Sequence, residues 1–484
     1  MHIRAVFHLL SYLMLMLVGC MIATLLVSYA NDDPVRAIRG LGLSCVITLA
    51  LALSVWHGTR GPVELTRKDG ILIVVFGWLV AIAISMLPFL LCEPRGTISV
   101  VDALFETVSG FTTTGASVLT QLEAQPRAIL FWRSMTHFLG GMGILVLCVA
   151  IIPFLGVGGM QIYRAEAAGP SKDRLTPRIA STAKLLWTIY IGMNLVLAVL
   201  LHFAGMNWFD AVNHAMATMA TGGFSTRSAS IAAYNSVTIE SILTVFMILA
   251  SFNFALHYRV LRGDLLAYFR NPECRFFVIL WVLICLAITG NLALKSGEHW
   301  TTSIREAFFT VASIISTTGF ATADYDLWPA FSKILLITAM FIGGCAGSTA
   351  GGIKVIRMFV LLKKMTRELR IFLRPKAVYP IKIGRQIIDP GIISSITVFF
   401  FIFTMTFTAG SIAMSFFTED IVTAVSAVIA ALGNIGPGLG AVGPTQTYAE
   451  IHDAAKVLLA ALMLLGRLEL YTLLVILMPG FWRR

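Results

Sequence analysis

The amino-acid sequence predicts an all-α polytopic membrane protein with two N-terminal spans and four pseudo-symmetric repeats around one pore, each repeat being a span, a re-entrant pore loop and a second span. Two observations lead to this fold class. Hydrophobic residues make up 57% of the 484 residues and charged residues 13%, which is typical of a multispanning protein without a sizeable soluble domain. In addition, one short segment recurs four times, which indicates an internal repeat.

The repeated segment opens with an acidic or hydroxyl residue, continues as a short apolar helix pattern and ends in a glycine. Its copies are DALFETVSGFTTTG (102–115), DAVNHAMATMATGG (210–223), EAFFTVASIISTTG (306–319) and, more loosely, TAVSAVIAALGNIG (423–436). A helix of about twelve residues covers about 18 Å, which is too short for a hydrocarbon core of about 30 Å. Irregular backbone at membrane depth is tolerated only inside protein or along a watery path. Four such loops facing one axis would form a ring of oxygens, and we predict a cation site there.

Longer apolar runs flank each copy and divide the chain. We predict two leading transmembrane helices in 1–68, repeat one in 69–155, repeat two in 181–262, repeat three with a broken second helix in 272–372, and repeat four in 390–484. The spans are predicted near 6–30 and 38–57, then near 70–92 and 128–155, 181–205 and 237–261, 274–295 and 330–372, and 391–416 and 450–478.

The first span contains an alternative signal. Residues 17–20, ending in Cys20, resemble a lipoprotein cleavage site, which would remove the first helix. The apolar run continues to Tyr29, whereas a processed lipoprotein usually turns polar after its cysteine. We therefore favour a retained helix. The leading spans carry no re-entrant signature, and we interpret them as scaffold or oligomer contact.

Four polar residues lie within the second spans of repeats one and two. We interpret Arg133 and His137 as interfacial anchoring and packing, because they lie near the outer end of their span. Asn253 and His257 lie in the inner half of theirs. They either face the conduction path or bond a neighbouring helix, and the sequence leaves both interpretations open.

The second span of repeat three is too long to be one helix. Residues 343–352 interrupt it with Gly343, Gly344, Gly347, Ser348, Thr349, Gly351 and Gly352, and Lys354 follows. Glycine weakens a helix and exposes its backbone polar groups. We therefore predict that this segment is sheltered in the bundle, just inside the ring of loops.

The last span carries Arg467 and Glu469 close to its middle. A charge at that depth is expensive and usually pairs or lines water. Two positions apart on a helix, these side chains do not face each other, so each needs another partner. An ordinary buried ion pair is one interpretation. We favour a role in gating, because the interrupted segment of repeat three lies at a similar depth.

The net charge of +11 follows membrane topology and does not predict a nucleic-acid partner. Basic residues concentrate in 153–184, 259–275 and 354–390, while the intervening loops are acidic, which places both termini and the basic connectors in the cytoplasm. Segment 354–390 could also bind a partner subunit or anionic lipid, although topology alone explains it. The seven cysteines show neither disulfide nor metal spacing. No nucleophile lies beside a credible base, so we do not predict an enzyme.

The loop chemistry favours potassium. Backbone carbonyl oxygens can replace the hydration shell of a cation if successive residues alternate between right-handed and left-handed dihedral angles. Glycine permits this, because it adopts positive φ without steric penalty. Short helices aim their partly negative C-termini at the cavity. No acidic residue lies in the four loop cores, which argues against a calcium-type carboxylate ring. Discrimination between potassium and sodium does not follow from these residues alone.

The sequence resembles the Trk/Ktr/HKT superfamily, and its bacterial TrkH/TrkG/TrkI branch in particular. Three features together carry the resemblance: the four loops, the segment GGCAGSTAGGIKVIR (343–357) and the segment GRLELYTLL (466–474). The resemblance covers essentially the whole chain. It implies a potassium-translocating subunit of a Trk uptake system in the bacterial inner membrane, with ten spans and working as a homodimer. It also implies a cytoplasmic nucleotide-binding regulatory partner, TrkA, and K+ as the transported ion, with no other cofactor in this chain.

The resemblance also implies individual roles. The filter would comprise Thr113, Thr114 and Gly115; Thr221, Gly222 and Gly223; Thr317, Thr318 and Gly319; and Asn434, Ile435 and Gly436. The gate would be about 343–352, contacted by Arg467. A serine at the first filter glycine accompanies sodium transport in some plant members, so Gly115 is the potassium-type residue. Two departures are Ala350, where relatives often have glycine, and the fourth loop, which continues into Pro437.

A second function remains open at this stage. Broken helices at the midplane also occur in secondary transporters, so a potassium symporter coupled to protons or sodium is the alternative. The repeats look parallel rather than inverted, which favours the channel-like interpretation. A receptor or scaffold would leave the four re-entrant loops unexplained.

Overall fold

The computed structural model describes residues 2–61, 66–92, 98–143, 179–295, 297, 299–384 and 386–483. Three long helices open the chain: α1 (Ile3–Ala30), α2 (Val35–Gly58) and α3 (Arg67–Cys92). They pack on one another, and α1 also contacts α5 (Arg127–Gly141). The leading helices therefore lie against repeat one.

The four repeated segments form four short helices. These are α4 (Val100–Phe111), α7 (Trp208–Met219), α12 (Trp300–Ile315) and α16 (Ile421–Leu432). The other helices are α6 (Ile179–Phe203), α8 (Val237–Ala250), α9 (Phe254–Leu261), α10 (Ala267–Arg270), α11 (Pro272–Lys295), α13 (Ala330–Ile342), α14 (Val355–Leu373), α15 (Pro390–Met414), α17 (Asp453–Arg467), α18 (Tyr471–Leu477) and α19 (Pro479–Trp482). In the described ranges the strands are β1 (Lys382–Ile383) and β2 (Gln386–Ile387), an antiparallel pair.

The helices confirm a polytopic membrane protein. Six helices of the described chain are long and apolar enough to cross a membrane, or eight if each of two bent pairs counts as one span. The ten spans that the resemblance implies stay a prediction. The predicted second span of repeat one continues past Gly143 into residues outside the described ranges, and so does the basic connector that follows it.

Two predicted spans are not single helices. The span predicted at 237–261 is bent by 104° between α8 and α9, and the one at 450–478 by 110° between α17 and α18. In the first, Asn253 restarts the helix, because its side chain accepts a hydrogen bond from the Ala255 N–H at 2.8 Å. In the second, Glu469 and Leu470 both adopt a φ of 56°, which an α-helix cannot contain. The predicted interruption of repeat three lies between α13 and α14.

Capping explains the polar residues that begin the short helices. Ser99 and Asp102 form a capping box at the start of α4. Asn207 accepts a hydrogen bond from the Asp210 N–H at the start of α7, and Asp420 accepts two at the start of α16. Such a cap stabilises a helix by about 1 kcal/mol. The acidic residue that opens the repeat is thus explained locally in the first two copies.

Candidate cation filter and gate

All four short helices end in the same turn. After α4, the Thr113 N–H donates to the Gly110 carbonyl at 3.1 Å and the Thr114 N–H to the Ser109 carbonyl at 2.9 Å, which is a Schellman motif. The equivalent donor and acceptor pairs elsewhere are Thr221–Thr218, Gly222–Ala217, Thr317–Ile314, Thr318–Ser313, Asn434–Ala431 and Ile435–Ala430. The segments 112–115, 220–223, 316–319 and 433–436, here called loops 1 to 4, therefore begin with one backbone geometry.

The left-handed residue of each motif is not glycine. Thr113, Thr221, Thr317 and Asn434 have φ values of 54°, 54°, 59° and 55°. A β-branched residue in this region costs about 1–2 kcal/mol, and such strain persists where the surrounding structure enforces it, often at functional sites. The Thr113 Oγ1 and Asn434 Oδ1 atoms are buried without a hydrogen-bond partner among the described residues. This pattern is consistent with side-chain oxygens that serve a ligand.

The backbone of each loop alternates in handedness. In loop 1, Thr112 has φ −75°, Thr113 is left-handed, Thr114 is not, and Gly115 has φ 84°. The last glycines of loops 2, 3 and 4 have φ 77°, 83° and 102°. Alternation of this kind turns successive carbonyl oxygens toward the same side of the chain, as a filter of backbone ligands requires.

The four loops close into a ring with one register. The Cα of each last glycine faces the carbonyl oxygen of the residue before the glycine in the next loop: Gly115 faces Gly222, Gly223 faces Thr318, Gly319 faces Ile435 and Gly436 faces Thr114. A Cβ at any of these glycines would lie closer than 3.0 Å to that oxygen. The predicted filter residues are thus brought together, and we call loops 1 to 4 the loop ring.

Loop 4 departs from the symmetry, as its sequence predicts. The Tyr448 hydroxyl donates a hydrogen bond to the Gly436 carbonyl at 2.8 Å. The Asn434 amide donates to Thr114 Oγ1 at 3.0 Å, which joins loop 4 to loop 1. The Gly436 carbonyl therefore has a protein partner, and the ring is only pseudo-symmetric.

A cavity of about 200 Å³ lies over one side of the ring, lined by the last glycines of loops 1, 2 and 3 and by Pro437. Its polar lining is hydroxyls, amides, backbone and the side chains of Arg133 and Arg227, and no carboxylate belongs to it among the described residues. An ion at this mouth would meet dipoles and two guanidinium groups, and no carboxylate of the described residues. We call this the outer side of the ring.

Residues 343–354, here called the gate segment, pack against the break between α8 and α9. The Cys345 N–H donates to the Ser251 carbonyl at 2.9 Å, and the Phe254 N–H donates to the Gly347 carbonyl at 3.0 Å. The Thr349 hydroxyl donates to the Ala250 carbonyl at 3.2 Å. Apart from the exposed Gly347, the segment is therefore largely sheltered inside the bundle, as predicted.

The glycines of the gate segment allow close backbone packing. A Cβ at Gly343 would overlap the Gly351 carbonyl, and one at Gly352 would lie 2.8 Å from the Gly343 Cα. A Cβ at Gly344 would lie 2.6 Å from that of Ala350. Ser348 donates its hydroxyl to the Cys345 carbonyl at 2.6 Å. The departure at Ala350 is thus accommodated, because Gly344 lies opposite it.

The gate segment also contacts the loop ring directly, on the side that we call inner. The Gly351 N–H donates to Thr317 Oγ1 at 2.8 Å, and a Cβ at Gly351 would overlap the Gly433 carbonyl. Lys354, with a φ of 72°, ends the segment and donates its ammonium group to the Ala350 carbonyl at 2.6 Å. The segment therefore lies across the inner ends of loops 3 and 4.

Arg467 joins the gate segment to α5. Its guanidinium donates to the Thr349 carbonyl at 2.9 Å and to the carbonyls of Gly140 and Gly141 at 2.6 and 2.9 Å. Glu469 forms an ion pair with Arg357 on α14. The two charges thus have separate partners, as their spacing predicts, and the implied contact between Arg467 and the gate segment is present.

The structure separates Asn253 from His257. The Asn253 side chain lies beside Gly347 of the gate segment, where a Cβ on that glycine would be 3.0 Å away. His257 shares hydrogen bonds with the Tyr268 hydroxyl at 2.5 Å and the Leu249 carbonyl at 3.1 Å. The first residue faces the gate segment, and the second bonds neighbouring elements.

The interfacial interpretation of Arg133 and His137 is wrong. Their exposed fractions are 1% and 0%, and both side chains lie behind loops 1 and 2. Arg133 forms an ion pair with Glu106, which lies inside α4, and Glu106 was not identified from the sequence as a functional residue. A guanidinium in an apolar span needs a partner, and that rule was the available signal.

Four short helices of this membrane protein thus end in loops that close into a ring of backbone oxygens, and a further segment lies across the inner side of that ring. This architecture belongs to the class of cation-transport proteins. The chain is a member of the TrkH family of cation transport proteins, whose model matches residues 43–482.

Relatives match over the full length. The chain is 42% identical to the Trk system potassium uptake protein TrkH of Escherichia coli, over 100% of both chains. It is 33% identical to the Trk system potassium uptake protein TrkG of the same organism, over 100% of this chain and 99% of the relative. The crystal structure of the potassium transporter TrkH from Vibrio parahaemolyticus superposes with a TM-score of 0.89, at 38% identity and complete coverage of both chains.

Proposed function

We propose that this protein translocates potassium ions across the bacterial inner membrane through the loop ring, as the membrane subunit of a Trk uptake system. The observation that carries the proposal is the closed register of the four glycines against the carbonyls of their neighbours. Full-length relatives that are named potassium uptake proteins support the choice of ion.

The ring geometry supports a channel-like path for the ion. Carbonyl and threonine oxygens replace the hydration shell on the way through the ring. No carboxylate of the described residues lines the outer cavity, which suits a weakly held monovalent cation. The gate segment closes the inner side. Its contacts with Thr317 and Arg467 give the closed arrangement a defined set of bonds that an opening motion must break.

The first prediction separates this pathway from a symporter. In proteoliposomes with potassium and sodium on opposite sides, we expect the reversal potential to move by about 59 mV per tenfold change in the potassium gradient, as for a monovalent ion. Changing the pH gradient at fixed potassium should leave it unchanged. A reversal potential that moves with the pH gradient would replace the channel by a proton-coupled symporter, and protein-free liposomes give the background.

A regulatory partner and a homodimer belong to the same proposal, with both termini cytoplasmic. The inner face offers basic α14 and the residues after it. Arg370, Arg374 and Lys376 are exposed there. Lys363 and Lys364 are engaged within the chain, because their ammonium groups donate to the Lys382 carbonyl at 2.5 Å and to Thr397 Oγ1 at 2.9 Å. A TrkA-like subunit would therefore meet the first three.

The second prediction tests this docking surface. Reversing the charges of Arg370, Arg374 and Lys376 to glutamate should weaken binding of the regulatory subunit by about tenfold, since each exposed interfacial pair contributes roughly 0.2–1 kcal/mol. Pull-down and nucleotide-dependent potassium flux measure this. The potassium-to-sodium permeability ratio should stay at the wild-type value, because the loop ring is untouched. Lys295→Glu, exposed at the far end of α11, is the control. A changed permeability ratio in the triple variant would mean that the pore lies elsewhere.

A further inference from the structure

Helix α5 passes behind loops 1 and 2 and presents two polar side chains to them. Arg133 and His137 are one helical turn apart, and both are buried. A guanidinium inside a membrane protein is costly unless its donors are satisfied. The partners of these two side chains therefore show what the residues do.

Arg133 holds parts of both repeats. Its Nε donates to Glu106 Oε1 at 2.7 Å, and its terminal nitrogens donate to Ser117 Oγ and to the Ser225 carbonyl, each at 3.0 Å. Glu106 also accepts a hydrogen bond from the Val118 N–H at 3.0 Å. One ion pair thus connects α4, the chain leaving loop 1 and the chain leaving loop 2.

His137 makes the same connection one turn further along α5. Its Nδ1 lies 2.7 Å from the Gly110 carbonyl in the last turn of α4, and the Phe224 N–H donates to its Nε2 at 3.2 Å. A carbonyl only accepts and an amide N–H only donates, so these partners select the neutral ring with its proton on Nδ1. A Cβ at Gly222 would lie 2.5–2.6 Å from ring atoms of His137, so loop 2 rests directly on the imidazole.

Phe224 completes the connection. It directly follows Gly223, the last glycine of loop 2. Its ring lies between the Arg133 guanidinium, 4.0 Å from the ring centroid, and the His137 ring, stacked at 4.1 Å with an interplanar angle of 20°. The exit of loop 2 is therefore fixed on two faces by side chains from repeat one.

The other short helices hold their own loops with weaker groups. His214, which occupies in α7 the position of Glu106 in α4, pairs with Ser225 Oγ at 2.9 Å. Ser313 donates to the Phe320 carbonyl at 2.7 Å, and Ser426 accepts from the Leu439 N–H at 2.9 Å. Among the ion pairs of the described residues, Arg133–Glu106 is the one in which both side chains are at most 2% exposed. The junction of loops 1 and 2 thus has a buried charged connection.

We propose that Arg133 and His137 are positioning residues that fix the spacing of loop 1 against loop 2 and so set the discrimination of potassium over sodium. The inference rests on the proposed role of the loop ring as a potassium pathway. A carbonyl filter discriminates by the number, spacing and rigidity of its oxygens, and Gly115 of loop 1 lies directly against the Gly222 carbonyl of loop 2. Loosening this junction therefore moves ligands that the ion would contact. Neither side chain belongs to the loop ring, although Arg133 also lines the outer cavity.

The test compares four variants in proteoliposomes. Arg133→Lys keeps the charge but loses the planar fork of donors, and Glu106→Gln removes the negative partner. His137→Phe keeps the stacking on Phe224 but loses both hydrogen bonds, whereas His137→Gln supplies a donor and an acceptor. The permeability ratio of potassium to sodium, read from the reversal potential, should fall by about three- to tenfold in the first three, as the loss of a net hydrogen bond would produce. His137→Gln should stay within about twofold of wild type.

The control is Arg305→Lys. Arg305 also forms an ion pair with Glu240, at 2.6 and 2.7 Å, although its side chain is 36% exposed. The pair joins the second turn of α12 to the first turn of α8, toward the end of α12 that lies away from loop 3. A merely structural role would lower the yield and thermal stability of the variants and leave the ratio unchanged. If Arg133→Lys does not fold, the comparison of His137→Phe with His137→Gln tests the inference by itself. A folded His137→Phe protein with the wild-type ratio would overturn the inference, whereas a wild-type protein without potassium preference would overturn the proposed function.

Discussion

Replacing Gly115 with serine is expected to lower the potassium-to-sodium permeability ratio by about tenfold or more, the change that a loss of about 1.4 kcal/mol in discrimination produces. Two physical effects add. The φ of 84° lies in the left-handed region, where a side chain is strained. The new Cβ would also overlap the Gly222 carbonyl, so loop 2 must move away. When this carbonyl oxygen moves, potassium and sodium lose coordination energy by different amounts, because the two ions differ in size. Reversal potentials under potassium and sodium gradients measure the ratio.

The matched control is Gly192→Ser in α6. Gly192 lies in ordinary helical backbone with no atom within 4 Å of an added Cβ, so the same chemical change should leave flux and selectivity as in wild type. An unchanged ratio in a folded Gly115→Ser protein would count against the assignment of loop 1 to the filter. The other last glycines, especially Gly223 and Gly319, should respond in the same direction, since each faces a neighbouring carbonyl in the same way.

Removing the Arg467 side chain is expected to raise potassium flux in the absence of any regulatory subunit by about ten- to a hundredfold, since a hydrogen bond to a charged group contributes about 1.5–3 kcal/mol. The guanidinium holds the Thr349 carbonyl of the gate segment to the last turn of α5. Without it, the closed arrangement loses a contact that an open one does not need, and the population shifts toward open. Rubidium or potassium uptake into proteoliposomes containing Arg467→Ala measures this.

Arg467→Lys separates charge from geometry. A lysine ammonium is a compact charge without the fork that reaches Thr349, Gly140 and Gly141 together, so we expect intermediate flux. Arg259→Ala, which removes an exposed partner of Asp264, is the control for loss of a positive charge. Basal flux in Arg467→Ala at or below the wild-type level would show that this side chain does not keep the gate segment closed.

Much of the loop ring could be predicted because its features are local. The apolar pattern, the polar residues that cap α4 and the glycine at the end of each segment are encoded within about sixteen consecutive residues, and they repeat. The interruption between α13 and α14 was predictable for the same reason, since five glycines close together do not sustain a helix. Loop 4 resembles the other three loops least in sequence, and it also differs from them in structure, because the Tyr448 hydroxyl donates a hydrogen bond to the Gly436 carbonyl.

The bends in the second and fourth repeats were not predictable from hydropathy. Both are apolar runs of ordinary length, and their breaks are made by Asn253 as a cap and by two residues of positive φ at 469 and 470. The helix propensities of the residues in these runs predict one continuous helix in each. At the break, the gate segment supplies a partner for the exposed backbone, because the Gly347 carbonyl accepts a hydrogen bond from the Phe254 N–H.

The sequence by itself determined that the chain is a multispanning membrane protein with four repeats of a short helix that ends in a glycine loop, because composition, period and turn chemistry act over short distances along the chain. Only the tertiary structure decided which loop lies beside which, that the gate segment bonds to Thr317, and that Arg133 and His137 support the ring from behind. These contacts join residues that are distant along the chain. Their partners are set by the packing of whole helices, and the spacing of residues in the sequence carries no record of that packing.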